Sequence, residues 1–272
     1  MKARIIPHTF DWRRVRAVIE KEWAEIRRNK AILWMMALVP VMLVGMILGT
    51  DYFIALAAAQ GRDMDEDELP IPEELRHLPR LEAFIIQMNE QYMFYLLLIP
   101  TTLPVYIAAH SIIGEKETRT LEPLLATPIS TWELLFGKSV AATVPPVLLT
   151  WLSFAVLLAG LKLIAPPAVF AYSARGVWIV GMLLFSPLLA FLSVLVGVMV
   201  SSRINDPRAA QQIAGIFVLP LIGISLVVLA GLIFINVPMM LSAAGVMVIV
   251  DGVILYFAVK LFQRETILTR WK

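Results

Sequence analysis

Cysteine is absent, and histidine occurs only three times in 272 residues. Without cysteine the chain has no disulfide, no thiolate metal ligand and no thiol nucleophile. His8, His77 and His110 are scattered, and no HExxH pattern occurs, so a zinc hydrolase has no support. Charge is scarce too: Asp, Glu, Lys and Arg make up 16% of the residues, against roughly 25% in soluble domains. A net charge of +2 leaves no electrostatic footprint for nucleic acid. A glycine-rich phosphate cradle is also missing. Phe136-Gly-Lys-Ser139 ends like a P-loop, but Trp132 stands where the first glycine belongs. The chain is therefore expected to bind neither ATP nor any other cofactor itself.

What is abundant is apolar sequence, at 59% of the residues and a mean hydropathy of +0.79. About 20 helical residues cross a bilayer core roughly 30 Å thick. Backbone groups in lipid must be satisfied within the segment, so long uncharged runs read as helices. Six spans are expected, near 31–59, 91–113, 131–161, 176–202, 207–233 and 239–260, with an outer loop over 60–90. Residues 31–272 thus form one integral membrane domain, preceded by a tail over 1–30. Eighteen of the 23 Lys and Arg fall on the side that carries both termini, which places the termini in the cytoplasm. No cleavable signal is expected, because the first 30 or so residues are polar rather than basic-then-apolar.

In the tail, Trp12, Val15, Ile19, Trp23 and Ile26 recur at helical spacing among Arg and Lys. That pattern predicts an amphipathic helix lying in the membrane interface. Its polar face is also free to touch a cytoplasmic partner.

Between spans two and three lies EKETRTLEPLLATPIS, Glu115 to Ser130. Thr120 is placed to cap a short helix, with Glu122 and Pro123 in its first turn. Leu121, Leu124 and Leu125 share one face, and Thr127-Pro128 ends the helix. Ser130 and Glu133 form a capping box that starts the next helix, flanked by Ile129 and Leu134 as a hydrophobic staple. A helix of about seven residues is unstable alone in water. Its leucine face must rest on lipid, on its own chain, or in the cleft of a partner.

Gly114 to Lys138, GEKETRTLEPLLATPISTWELLFGK, resembles the signature loop of type-2 ATP-binding-cassette (ABC) transporter permeases, with Arg119 where glycine is usual. EKEWAEIRRNK, Glu20 to Lys30, is similar to the same family's N-terminal pattern. The resemblance implies an all-α integral membrane fold of six spans, an interfacial N-terminal helix and a short cytoplasmic coupling helix. It implies that two permease units pair and that two separate ABC ATPase subunits, which bind ATP and Mg, dock below. Leu121 to Thr127 would be the coupling helix, and Glu115 and Glu117 would set the geometry of its loop. The implied role is the permease subunit of an ATP-driven exporter in the cytoplasmic membrane. The alternative is a membrane scaffold or channel-like protein without ATP coupling.

Asp251 lies about 18 Å into the sixth span. A carboxylate there faces protein or a water-filled path. It serves either an interhelical hydrogen bond or transport and gating. Ser225 lacks a well-placed base for hydrolase chemistry and reads as a packing residue. Asp63 to Glu68, DMDEDE, lacks the turn glycine of a calcium loop and reads as a solvated acidic loop. Asp206-Pro207 is placed to start span five. The prolines at 100, 104, 145, 146, 187 and 220 predict kinks.

Overall fold

A computed structural model describes residues 10–60, 71–117, 129–203, 209, 212, 215–230 and 232–261. Among them all regular structure is helical. The helices are α1 (Trp12–Arg28), α2 (Lys30–Ala59), α3 (Arg80–Leu96), α4 (Leu98–Glu117), α5 (Thr131–Ile164), α6 (Pro167–Ser173), α7 (Gly176–Val180), α8 (Ser186–Arg203), α9 (Leu219–Leu229) and α10 (Val237–Leu261).

Five helical stretches in the described residues are long and apolar enough to cross a bilayer: Lys30–Ala57, Arg80–Glu115, Trp132–Ile164, Pro167–Ser201 and Val237–Lys260. The expected fifth span over 207–233 is represented by α9, whose 11 residues extend only about 16 Å. Residues 207, 208, 210, 211, 213, 214 and 231 of that expected span lie outside the described residues. The helices α2 and α10 turn much of their apolar surface outward, with Leu38, Val41, Met42, Val246, Val248 and Ile249 exposed. Patches of that extent are untenable in water and ordinary against lipid.

The centre of the bundle is α4 against α8, with α5 touching α1, α2, α4 and α8. Gly197 permits the α4–α8 approach. A Cβ there would lie 3.2 Å from the Val105 carbonyl oxygen and 3.3 Å from its Cα. Small residues at membrane helix contacts let backbones close in this way.

The expected outer loop over 60–90 is corrected from Arg80 onward, where α3 begins 11 residues before the predicted second span. Gln87, Asn89 and Glu90 are buried, and each finds a partner. Gln87 donates to the Leu229 carbonyl (2.7 Å), and Asn89 donates to Asp51 (2.9 Å). Glu90 accepts from Trp178 (3.0 Å) and pairs with Arg175 (2.6 Å). Such polar contacts tie α3 to α2, α7 and α9 at the end of the bundle far from α1. Arg175 also lies 4.2 Å from the centre of the Phe234 ring, a cation–π contact.

Two breaks follow from proline. Between α3 and α4, Leu97 donates to Phe94 (3.1 Å), a tightened turn. Pro100 has no N–H for the Leu96 carbonyl four residues back. Between α7 and α8, the turn Gly181–Phe185 is widened to five-residue pairing, and the Ser186 N–H donates to the Gly181 carbonyl. The next bond in that register would come from Pro187, which lacks the hydrogen. The Met182 carbonyl this orphans accepts instead from the Trp151 indole (2.7 Å) and the Ser186 hydroxyl. An aromatic side chain of α5 thereby stabilises the wide turn.

Candidate functional site

The loop expected to engage a partner has two stems, the end of α4 and the start of α5. Thr120, Leu121, Glu122, Pro123, Leu124, Leu125, Thr127 and Pro128 lie outside the described residues, as do Asp63 to Glu68 and Asp206-Pro207. Of the remaining predicted site residues, Glu117 ends α4. Glu115, two residues inside, is 4% exposed.

The α5 stem starts as its sequence dictates. Ser130 and Glu133 form the reciprocal capping box: the Ser130 N–H donates to Glu133 Oε2 (2.7 Å), and the Glu133 N–H donates to Ser130 Oγ (3.2 Å). Ile129 and Leu134 on either side of the cap are both buried. Glu133 does more than cap. Its Oε1 accepts from the Asp11 N–H (2.8 Å), and Arg14 Nη1 stands 3.7 Å from Oε2. One carboxylate thus joins the start of α1 to the start of α5.

Helix α1 lies along this part of α5. Asp11 caps it through its own side chain, accepting from Arg13 (2.9 Å). Its buried seam is Val15, Val18, Glu22 and Ile26, turned from the stripe expected at Trp12, Val15, Ile19, Trp23 and Ile26. Trp12 and Trp23 are exposed on its flank. The difference has a physical cause: the seam packs on protein rather than lipid, and Glu22 is admitted because a lysine meets it there. Phe10, Trp12 and Phe136 form an edge-to-face group with centroids 5.4–6.1 Å apart. The Trp23 indole donates to the Ala141 carbonyl (3.1 Å).

Gly137 sets how close α1 comes. A Cβ there would stand 2.9 Å from both Cβ and Cγ1 of Val18 and 3.3 Å from the Val15 carbonyl oxygen. Val18 Cβ cannot swing away without moving α1. Gly137→Ala is expected to destabilise the protein by about 1–3 kcal/mol, the usual range for overpacking. Adding Val18→Ala should recover only the part of the loss due to Cγ1, because alanine keeps the Cβ that the new methyl meets at 2.9 Å, as read by thermal melting in detergent.

At the centre of the stems sits a buried charge cluster. Lys138, 6% exposed, donates to Glu22 Oε1 (2.6 Å), to Ser111 Oγ (2.7 Å) and to Glu115 Oε1 (2.9 Å). Lys21 bonds the same Glu115 oxygen and stands 3.2 Å from Glu25 and 3.4 Å from Glu22. The cluster therefore ties α1, α4 and α5 together at the base of the loop. Burial by itself would raise the Glu22 carboxyl. The adjacent Lys138 ammonium, with Lys21 and Ser111, outweighs it and holds Glu22 below the ordinary carboxylate range. Burial would lower Lys21, but the bond to Glu115 and the charges of Glu22, Glu115 and Glu25 hold its ammonium above the ordinary lysine value. Both groups stay charged near neutrality.

Sequence reasoning found Glu115 and Glu133 but not Lys21, Glu22 or Lys138. One signal was available. Glu22 interrupts an apolar seam, and Lys138 is a charge eight residues into a spanning helix. Two opposite charges at such positions favour each other's company.

The α1–α2 junction is fixed by Asn29. Its Oδ1 accepts from Ala31 N (3.0 Å) and Ile32 N (3.2 Å), capping α2. With Oδ1 committed, Nδ2 faces His110 Nε2 at 2.8 Å, so His110 accepts there. His110 is thus occupied at the junction. Ser225 donates to the Ile222 carbonyl (2.8 Å), as a packing residue does.

Asp251 lies in α10 and is 5% exposed, with neither carboxylate oxygen hydrogen-bonded among the described residues. Its neighbours in sequence, Val250 and Ile254, pack on Val105, Leu192 and Val196 of α4 and α8. The structure therefore shows no interhelical hydrogen bond for it.

Among the described residues no group of His, Cys, Asp and Glu is arranged to hold a metal ion. The site has the character of a mechanical joint: charged groups are locked to one another around the root of a loop. No match was found among curated proteins. The family model described as "ABC-2 family transporter protein" matches residues 16–261, which takes in most of α1, both stems and every later helix through α10. The chain belongs to the ABC-2 family of transporter proteins.

Proposed function

We propose that the chain is the transmembrane permease subunit of an ATP-driven exporter, and that 121–127 forms a coupling helix gripped by a separate ABC ATPase. The working form is two permeases, two copies of this chain or this chain with a close relative, above two ATPase subunits that bind ATP and Mg. The observation that carries this reading is the joint itself. Both stems of the loop are clamped by Glu115, Lys138, Glu22, Lys21 and Glu133. A push on the loop would then reach α1, α4 and α5 as one body instead of dissipating in a slack hinge. Family membership supports transport, and the short leucine face supports a partner, since it cannot stand alone.

In this reading the basic end of the bundle is cytoplasmic, α1 lies at the membrane surface with Trp12 and Trp23 toward the interface, and six crossings place both termini inside. Spans in which charge is sparse favour an apolar or amphipathic cargo. Co-expression with an ABC ATPase and gentle extraction tests the partner. A stoichiometric ATPase, with ATP-dependent transport in reconstituted vesicles, is expected. Purification of the chain alone under those conditions would point to a scaffold instead.

Asp251 is assigned to the transport path or its gate. Asp251→Asn keeps the shape and removes the charge. It is expected to leave yield and ATPase association unchanged and to lower transport severalfold in vesicles. Unchanged transport would return Asp251 to a structural role.

A further inference from the structure

A cleft of about 870 Å³ opens between α1, the first turn of α2 and the end of α4. Its lining is amphipathic and polarised. Ile26, Ile32 and Ile107 supply apolar surface, while Arg28 and Lys30 stand at the α1–α2 junction. Neither Arg28 nor Lys30 makes an ion pair among the described residues, and both are exposed. The deep side has the opposite balance. Glu22 and Glu115 are buried and share Lys21 and Lys138, and Glu25 at the exposed edge is a third carboxylate within reach of Lys21, so carboxylates outnumber lysines by one. The unmet acceptor is on Glu115, which lines the cleft: its Oε1 is bound by both lysines, and its Oε2 is buried with no hydrogen-bond partner among the described residues. A buried carboxylate oxygen without a donor is costly to leave unmet.

We propose that this cleft binds the headgroup of a phospholipid bearing a primary amine, with the ammonium at Glu115 Oε2 and the phosphate between Arg28 and Lys30. An ammonium supplies the missing donor and the missing positive charge. The phosphate supplies the anion that the two free cations lack, and Arg pairs well with phosphate oxygens. The apolar side gives the first acyl carbons a surface beside the start of α2. Choline would fail at the deep end, because a trimethylammonium has no N–H for Glu115 to accept. A purely anionic headgroup would satisfy the rim and place negative charge against an unpaired carboxylate oxygen. The inference relies on the membrane placement proposed above, and not on the cargo or on the ATPase.

The test is lipid retention by the purified full-length chain, without nucleotide or ATPase, so its failure is separable from failure of the transport reading. Native mass spectrometry after exchange into equal amounts of phosphatidylethanolamine, phosphatidylcholine and phosphatidylglycerol reads retention directly. Phosphatidylethanolamine is expected to be held at least fivefold over either rival, and retention should fall stepwise through its N-methyl and N,N-dimethyl forms. Soluble phosphoethanolamine at millimolar concentration should compete only weakly, because it lacks the acyl contact; full competition would assign the site to the free headgroup and overturn the lipid. Arg28→Gln with Lys30→Gln alters two exposed residues outside the buried cluster and should reduce retention of phosphatidylethanolamine at least fivefold, with a parallel fall for phosphatidylcholine, since both carry the phosphate. Glu115→Gln should abolish the preference between those two lipids. Equal retention of the three lipids by the unaltered chain, or undiminished retention by the Arg28/Lys30 variant, would overturn the proposal.

Discussion

Lys138→Ala is expected to lower the melting temperature of the detergent-purified protein by about 10 °C. The reasoning starts from burial: Lys138 is 6% exposed and contacts Glu22, Glu115 and Ser111. Removing one partner of a buried ion pair costs about 3–5 kcal/mol, because the remaining charge is stranded. For a chain of this size each kcal/mol moves the transition by roughly 2–4 °C. The loss should be localised. With Lys138 gone, Glu22 is left with Lys21 at 3.4 Å, and the seam of α1 on α5 loses its central contact. Limited proteolysis should cut within α1 before the rest of the bundle. Glu22→Gln combined with Lys138→Met removes both charges, fills the volume and leaves Lys21 for Glu115 and Glu25. That pair should recover more than half the stability, the signature of coupling between neighbours. Equal losses in the single and double variants would show that Lys138 acts through packing and not through its charge.

Leu124→Asp is expected to detach the ATPase. Leu124 is the central leucine of the predicted coupling helix, so it is the residue a partner's cleft would enclose. Truncating or charging a buried anchor of an interface costs about 2 kcal/mol or more, roughly a thirtyfold loss of affinity. The variant should insert normally, since the segment lies outside the spans. It should then lose the ATPase during purification, or retain it and hydrolyse ATP without transport. Leu124→Met keeps the volume and the apolar surface and should behave as the unaltered chain. Full transport by Leu124→Asp would remove the leucine face from the coupling account.

Local features were the most legible in the sequence. Ser130 and Glu133 are three residues apart, and the capping box depends on nothing else. The long apolar runs of α2, α5 and α10 needed no partner to identify them. By contrast α3 was hidden as an outer loop over 60–90, because Glu82, Gln87, Asn89 and Glu90 dilute its hydropathy. The burial of Gln87, Asn89 and Glu90 is made possible by groups elsewhere in the chain: Asp51 is 38 residues from Asn89, and Leu229 is 142 residues from Gln87. No window of sequence contains both members of either pair. The charge cluster shows the same limit. Glu115 stood out through a motif, but Lys138 and Glu22 lie 116 residues apart and become partners only when α1 folds back along α5. For Asp251 the depth in its helix was legible and its surroundings were not. Burial without a hydrogen bond is a property of the assembled helices.

The central claim is that residues 121–127 are held by a nucleotide-hydrolysing partner. The chain has no cysteine, so Leu124→Cys creates a single thiol in an otherwise unchanged protein. The decisive measurement is thiol cross-linking of that variant, co-expressed with an ABC ATPase carrying one cysteine in its membrane-facing cleft. The account predicts a cross-linked product of the combined mass whose yield changes on adding ATP and Mg. No such product, together with labelling of the thiol only by reagents confined to the lipid phase, would contradict it.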